Sequence, residues 1–261
     1  MKKIGKSSEP VALTEFRDQN PDAQWKALRD TGPYLEIKQQ IFQDQGHLCA
    51  FCETELPEER SNHQRVEHFH PKSDVSNPDH NWTLDWENMI GVCMGGSRQT
   101  EADKVNYQLP ENLSCDAYKD HLISAGEIPE ACEGYVLNPL RIINTPCLFK
   151  FDLRTCELRP DPEACARLQD IDNSYDSLET LVAETIRILN LNCSRLVDDR
   201  REVLKFFNQA AARARKANNR HYKAQLAERW FRHRWPSFFT TRRILLGISA
   251  EDWLIAINYQ G

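Results

Sequence analysis

Cys49 and Cys52 are separated by two residues, and two further cysteines follow, Cys93 at the end of an apolar run and Cys115 before Asp116-Ala-Tyr-Lys119. Two thiolates at the first spacing reach one Zn²⁺ from a tight turn, and a second pair elsewhere closes the tetrahedron. Used this way, the four cysteines force distant segments to meet at one point. The metal then replaces core that a small unit lacks, with apparent binding energies of about 10–16 kcal/mol in isolated finger peptides. A thioredoxin-like redox pair is the competing reading of Cys49-Ala-Phe-Cys52, but it needs a βαβ unit that the surrounding pattern does not supply. Cys93 and Cys115 could also be plain buried thiols, since Cys is among the most buried residue types. Nine cysteines is an odd number, and a reducing compartment disfavours disulfides. Buried packing is the expectation for Cys132, Cys147, Cys156, Cys165 and Cys193.

Between the cysteines lie two runs with chemical content. In Val66-Glu67-His68-Phe69-His70-Pro71-Lys72 the apolar residues around Glu67 and His68 read as a half-buried strand, which Pro71 ends. His68 is suited to act as a general base on water, because an unperturbed imidazole titrates near neutral pH. Glu67 points to the opposite side of an ideal strand, so a shared site requires a bulge or bend, a feature common beside active sites. His70 is expected to be structural, with phosphate or metal contact as its alternative. The second run, Trp86-Glu87-Asn88-Met89-Ile90-Gly91-Val92-Cys93, sets an Asn at the start of an apolar segment.

Taken in order, CAFCE, VEHFHPK, DWENMIGVC and LSCDAYKD resemble the HNH endonucleases, the ββα-metal nuclease class, and specifically the PtuB-like HNH proteins of retron and Septu-type anti-phage defence systems. The resemblance extends to the N-terminal lead-in and to the region after Lys119. It implies that Glu67 holds a divalent cation, Mg²⁺ or Mn²⁺, that His68 activates water, that Asn88 orients the His, and that Asp116 completes the cation site. The family more often carries Asn or His at the position of Asp116. It also commonly has a second CxxC where this chain has a gap of 21 residues between Cys93 and Cys115. Cys49, Cys52, Cys93 and Cys115 are therefore expected to hold the structural zinc, with an inserted loop before the fourth ligand. The implied partners are a PtuA-like SMC or ABC-type ATPase and, in retron systems, a reverse transcriptase with its attached DNA (msDNA). Such systems act as toxin-like effectors against phage.

The remaining pattern predicts a mainly α, α+β protein with a small zinc-stabilised ββα core: a helical lead-in over 1–45, the nuclease core over 46–125, and a mostly helical region over 126–261. Asn20-Pro21 splits an early helical pattern into two short helices, and another helix spans 34–45 with Gly46 as its stop. The polar run after Cys52 reads as a hairpin loop. The glycine-containing stretch 94–113 reads as a long loop of the kind that contacts partners or substrate. Residues 135–140 and 148–152 read as two short strands. Leu178, Leu181, Val182, Thr185, Ile186 and Leu189 share one helical face. Ser194 is placed to cap the next helix, which runs to about residue 218, and two more helices are expected over 222–234 and 250–259.

Between Arg195 and Arg243 there are fourteen Lys and Arg against four Asp and Glu, in a chain whose net charge is −6. A basic face of Arg213, Arg215, Lys216, Arg220, Lys223, Arg229, Arg232 and Arg234 suits a phosphate backbone. Trp230, Phe231, Trp235, Phe238 and Phe239 interleave with it and either stack on unpaired bases or form core. Trp82 and Trp86 are expected to pack under the catalytic strand. No run has the roughly 18 apolar residues of a membrane helix, and the opening Met-Lys-Lys-Ile lacks the apolar core of a signal peptide, so a cytoplasmic protein with no membrane partner is expected. No G-x-x-x-x-G-K-[ST] motif is present to power the chain by itself. The expected function is metal-dependent hydrolysis of nucleic-acid phosphodiesters, DNA or RNA including tRNA. The alternative is a non-catalytic, zinc-stabilised scaffold that binds nucleic acid or a partner.

Overall fold

A computed structural model describes residues 1–168, 171–233 and 235–259. Three helices open the chain: α1 (Val11–Gln19), α2 (Trp25–Arg29) and α3 (Pro33–Asp44). Pro21 separates the first two as the sequence predicts. Pro33 starts α3, a position where its missing N–H costs nothing and its fixed φ fits a helix. Gly46, at φ +64°, turns the chain out of α3.

The hairpin strands β1 (Gln64–His68) and β2 (Met89–Cys93) pair antiparallel, from Gln64 opposite Cys93 to His68 opposite Met89. After α4 (Glu101–Asn106) comes α5 (Cys115–Ser124), which completes a ββα unit. The loop expected over 94–113 thus carries a short helix, capped reciprocally by Thr100 and Asp103. It is fastened to later structure: Tyr107 Oη donates to Asp198 (3.1 Å), and Asn190 Nδ2 donates to the carbonyls of Glu111 and Leu113 (2.8 Å each). The polar run after Cys52 includes a 3₁₀ turn, Glu58–His63, where an open hairpin loop was expected.

A second two-stranded sheet joins β3 (Phe149–Phe151) to β4 (Leu158–Pro160). The segment 135–140 forms turns instead of the expected strand, because Pro139 cannot donate to a ladder and Asn138 Oδ1 accepts from the Leu140 amide (2.9 Å). Helices α6 (Pro162–Cys165), α7 (Leu178–Ile188), α8 (Ser194–Lys216), α9 (Tyr222–Phe231), α10 (Phe239–Leu246) and α11 (Ile248–Ala256) follow. On α7, Leu178, Leu181, Val182, Thr185 and Ile186 are buried, as their spacing requires. Cys193, not Ser194, is the N-cap of α8, and no side chain caps it. The sequence reading missed α10, whose Thr240, Thr241 and Arg243 are buried; Arg243 pairs with Glu251 at 2.5 Å.

The result is mainly helical with two small sheets, and the β1–β2 hairpin lies between two cores. Ile90 and Val92 face a core that includes Phe51, Leu148, Leu181, Leu189 and Leu196. Val66 and Met89 face the N-terminal helices through Leu13, Leu28, Ile37 and Ile41. Trp230, Phe231, Trp235 and Phe239 belong to a third cluster, with Leu226, Leu246 and Leu254, while Phe238 joins the first. These aromatics are therefore core and are not free to stack on bases. Among the described residues, no helix is long and apolar enough to cross a membrane.

Candidate active site

The four expected zinc ligands converge. The sulfurs of Cys49, Cys52, Cys93 and Cys115 lie within 4.8 Å of one another, all buried. Three Sγ–Sγ separations are 3.7–3.8 Å, the edge of a tetrahedron whose Zn–S arms are about 2.3 Å. Four thiols this close resist ionising together: hydrogen bonds from Cys115, Cys49 and Cys93 hold Cys52 well below the ordinary thiol range, while burial pushes Cys115 well above it. A Zn²⁺ ion would resolve that conflict. Backbone amides also address the sulfurs, Cys93 N–H toward Cys49 Sγ and Gly95 N–H toward Cys93 Sγ, each at 3.3 Å. Gly95 is required here, since a Cβ would stand 2.2 Å from the Ser114 carbonyl oxygen. Cys115 itself adopts φ +56°, a conformation that a non-glycine residue holds only when its surroundings impose it.

The cluster has a positional consequence. It pins the start of α5 to the end of β2, so Asp116, the next residue, faces β1 across the unit. Glu67 on β1 and Asp116 on α5 meet through one ammonium group: Lys119 Nζ lies 2.5 Å from Glu67 Oε1 and 3.2 Å from Asp116 Oδ1. Arg65 reaches Asp116 Oδ2 at 2.9 Å and Asp120 at 3.4 Å. Asp116 is fully buried, and neither of its oxygens has an aligned hydrogen-bond donor. Burial pushes Glu67 up to about 8 despite Lys119 beside it. Burial also opposes ionisation of Asp116, but Lys119, Glu67 and Arg65 together hold it below the ordinary range. Asp116, whose two oxygens lack an aligned hydrogen bond, and Glu67, whose Oε1 accepts from Lys119, are carboxyl groups of the kind that Mg²⁺ or Mn²⁺ takes as donors.

His68 stands on the other face of the hairpin. No bulge interrupts β1, so the bend expected to bring His68 round to Glu67 is absent from the strand. The ring is buried, packed edge-on against Trp25 at 4.6 Å, and its Nε2 lies 3.0 Å from the Thr83 carbonyl oxygen. A carbonyl only accepts, so Nε2 carries the proton and Nδ1 keeps its lone pair. Burial pushes the ring down to about 4, which leaves it neutral at pH 7.

Asn88 was expected to orient the His68 ring, yet its bonds go to main chain around it. Its Oδ1 accepts from the His70 amide (2.7 Å), and its Nδ2 donates to the carbonyls of His70 (3.1 Å) and Trp82 (3.0 Å). These two segments flank His68 and its acceptor Thr83, so Asn88 acts on the ring through the backbone that holds it. His70 sets both ring nitrogens against carboxylates, Nδ1 on Glu133 and Nε2 on Asp74, each at 2.7 Å, and stacks on Trp82. That is the structural role expected of it. Asn88→Ala should cost about 3 kcal/mol, three buried hydrogen bonds at roughly 1 kcal/mol each. Urea denaturation measures this, and an unchanged midpoint would contradict the clamp.

The chain is 35% identical over 250 residues to a curated relative from Escherichia coli named "Retron Ec83 putative HNH endonuclease", a match covering 94% of this chain and 93% of the relative. The chain belongs to the retron HNH endonuclease family. No family model matches it. Lys119, Arg65, Trp25 and Thr83 contact the expected site residues Glu67, Asp116 and His68, and the sequence reading did not single them out. Lys119 alone left a signal, three residues beyond Asp116 on one helix face. On the basic face, Arg213, Arg215, Lys216, Arg220 and Arg232 are exposed, and Lys223 is half-buried with its Nζ 6.0 Å over the Phe207 ring. Arg232 pairs with Glu228 at 3.7 Å. Arg234 lies outside the described residues.

Proposed function

We propose that this retron HNH protein is a metal-dependent endonuclease that hydrolyses phosphodiester bonds in nucleic acid. The observation that carries the reading is the pairing of Glu67 with buried Asp116 beside a four-cysteine cluster in one ββα unit. The zinc cluster has no part in the chemistry and fixes where α5 begins. His68, neutral and with Nδ1 unprotonated, takes a proton from water. Thr83 fixes its tautomer, and Asn88 holds the two backbone segments around it. Glu67 and Asp116 would hold Mg²⁺ or Mn²⁺, which when bound supplies charge stabilisation to the leaving oxygen.

The exposed arginines and lysines of α8 and the α8–α9 turn, Arg213, Lys216 and Arg220 with Lys223 and Arg232, are the proposed phosphate-backbone contacts. No acidic residue interrupts the chain from 203 to 227. The proposed setting is an anti-phage effector, toxin-like, working with the retron reverse transcriptase and its attached DNA. A PtuA-like SMC or ABC-type ATPase would supply the nucleotide-driven step that this chain has no motif for.

One observation favours a second reading, a non-catalytic zinc-stabilised scaffold: His68 is only 6% exposed and lies on the opposite hairpin face from Glu67. Asp116→Ala, which removes the oxygen donor altogether, separates the two. The nuclease reading expects loss of cation-dependent cleavage by about 10²-fold or more with zinc content kept. The scaffold reading expects wild-type protein to cleave neither DNA nor RNA.

A further inference from the structure

Between the two carboxyl groups assigned to the cation, the chain already places a cation of its own. Lys119 is 5% exposed and sits one turn along α5 from Asp116. Its ammonium lies 2.5 Å from Glu67 Oε1 and 3.2 Å from Asp116 Oδ1. Neither Asp116 oxygen has an aligned hydrogen bond, so charge more than directional bonding holds Lys119 to Asp116. We propose that Lys119 is an internal competitor for the divalent cation, occupying the space between Glu67 and Asp116 and leaving it when Mg²⁺ or Mn²⁺ binds.

This inference rests on the reading of Glu67 and Asp116 as cation ligands. A dication and an ammonium group cannot share two carboxylates at these distances, because their repulsion in a desolvated site is unscreened. Of the two basic groups present, Lys119 is the one free to leave. Its ammonium ends a flexible four-carbon stem, and its two carboxylate partners are the cation ligands themselves. Arg65 is tied also to Asp120, outside the pair, and approaches Asp116 from its other oxygen. The arrangement also explains how the chain tolerates two facing acids before any cation arrives. Without a positive charge between them, a fully buried Asp116 beside a nearly buried Glu67 would oppose folding. Lys119 stabilises the cation-free protein and, by the same contact, weakens cation binding.

The test is Mn²⁺ binding to the zinc-loaded full chain, followed by titration calorimetry and by the spin-resonance signal of free Mn²⁺, for wild type, Lys119→Met and the control Glu67→Gln. Lys119→Met is expected to bind Mn²⁺ at least tenfold more tightly than wild type. Its thermal midpoint without Mn²⁺ should fall below wild type and rise further on Mn²⁺ addition. Lys119→Gln, uncharged but polar, should show the same tightening. Equal or weaker Mn²⁺ binding in both variants, with Glu67→Gln abolishing the wild-type binding, would overturn the competitor role and leave the cation site standing. Wild-type Mn²⁺ binding that Glu67→Gln does not change would overturn the cation site and this inference with it. Failure of both Lys119 variants to fold even with Mn²⁺ would make Lys119 a structural residue only, and would equally overturn the proposal.

Discussion

Cys115→Ala is expected to leave a chain that binds no zinc and does not fold. The four sulfurs sit in the main core, and the four cysteines come from three separate segments: the turn after α3, which gives Cys49 and Cys52, the end of β2 and the start of α5. Removing one ligand forfeits a large part of the roughly 10–16 kcal/mol that a structural zinc contributes in small domains. The whole stability of a domain is only about 5–15 kcal/mol. The backbone at Cys115 adds to the loss, since its left-handed φ of +56° is held only while the sulfur is anchored. Cys132→Ala is the control, being as buried as Cys115 but outside the cluster; it should cost about 1–2 kcal/mol. Zinc per chain and the thermal midpoint measure both. A Cys115→Ala protein that keeps one zinc and melts beside Cys132→Ala would contradict the cluster's role.

His68→Ala should lower cleavage by about 10²–10⁴-fold, the range for loss of a general base, with zinc content and helical signal retained. The same residue makes a second, independent prediction about stability. Burial pushes its titration from 6.5 in a free ring down to about 4, so the unfolded chain takes up the proton at a higher pH than the folded one. The stability gained by burying the neutral ring is therefore complete above pH 6.5 and is lost as the pH falls toward 4, by roughly 3 kcal/mol over that window. Urea melts between pH 7 and pH 4 read the slope. In His68→Ala this contribution should be missing, and a variant whose acid sensitivity matches wild type would show that His68 is not a buried neutral imidazole.

The zinc cluster was legible because CxxC is a local signal and the remaining two ligands were marked by their neighbours. Cys115 could be assigned across a 21-residue gap only through its place in the LSCDAYKD run. The buried face of α7 was legible from spacing alone, since a 3.6-residue period leaves one side to pack. The approach of Glu67 to Asp116 was implied by family resemblance, and the structure adds the contact that no pattern carries, Lys119 between them. Strand alternation already said that His68 and Glu67 point apart, and the hairpin keeps that alternation without a bulge. Thr83, which holds the ring, and His70, whose backbone Asn88 clamps, are set by how the loop over 73–85 returns to β2, a tertiary fact with no local signature. The aromatic run from Trp230 to Phe239 was ambiguous for a different reason. Composition alone does not separate indoles that line a core from indoles that wait for a base, and only burial decided it.

The most direct test of the account is cleavage by the zinc-loaded chain. Plasmid DNA and total RNA are incubated with wild type and His68→Ala, with Mg²⁺, with Mn²⁺ and with neither, alone and with a co-purified ATPase. The account predicts cleavage that requires both the added cation and His68, in at least one of these combinations. Zinc-replete wild-type protein that cleaves nothing in any combination, or a His68→Ala chain that cleaves at the wild-type rate, would contradict it.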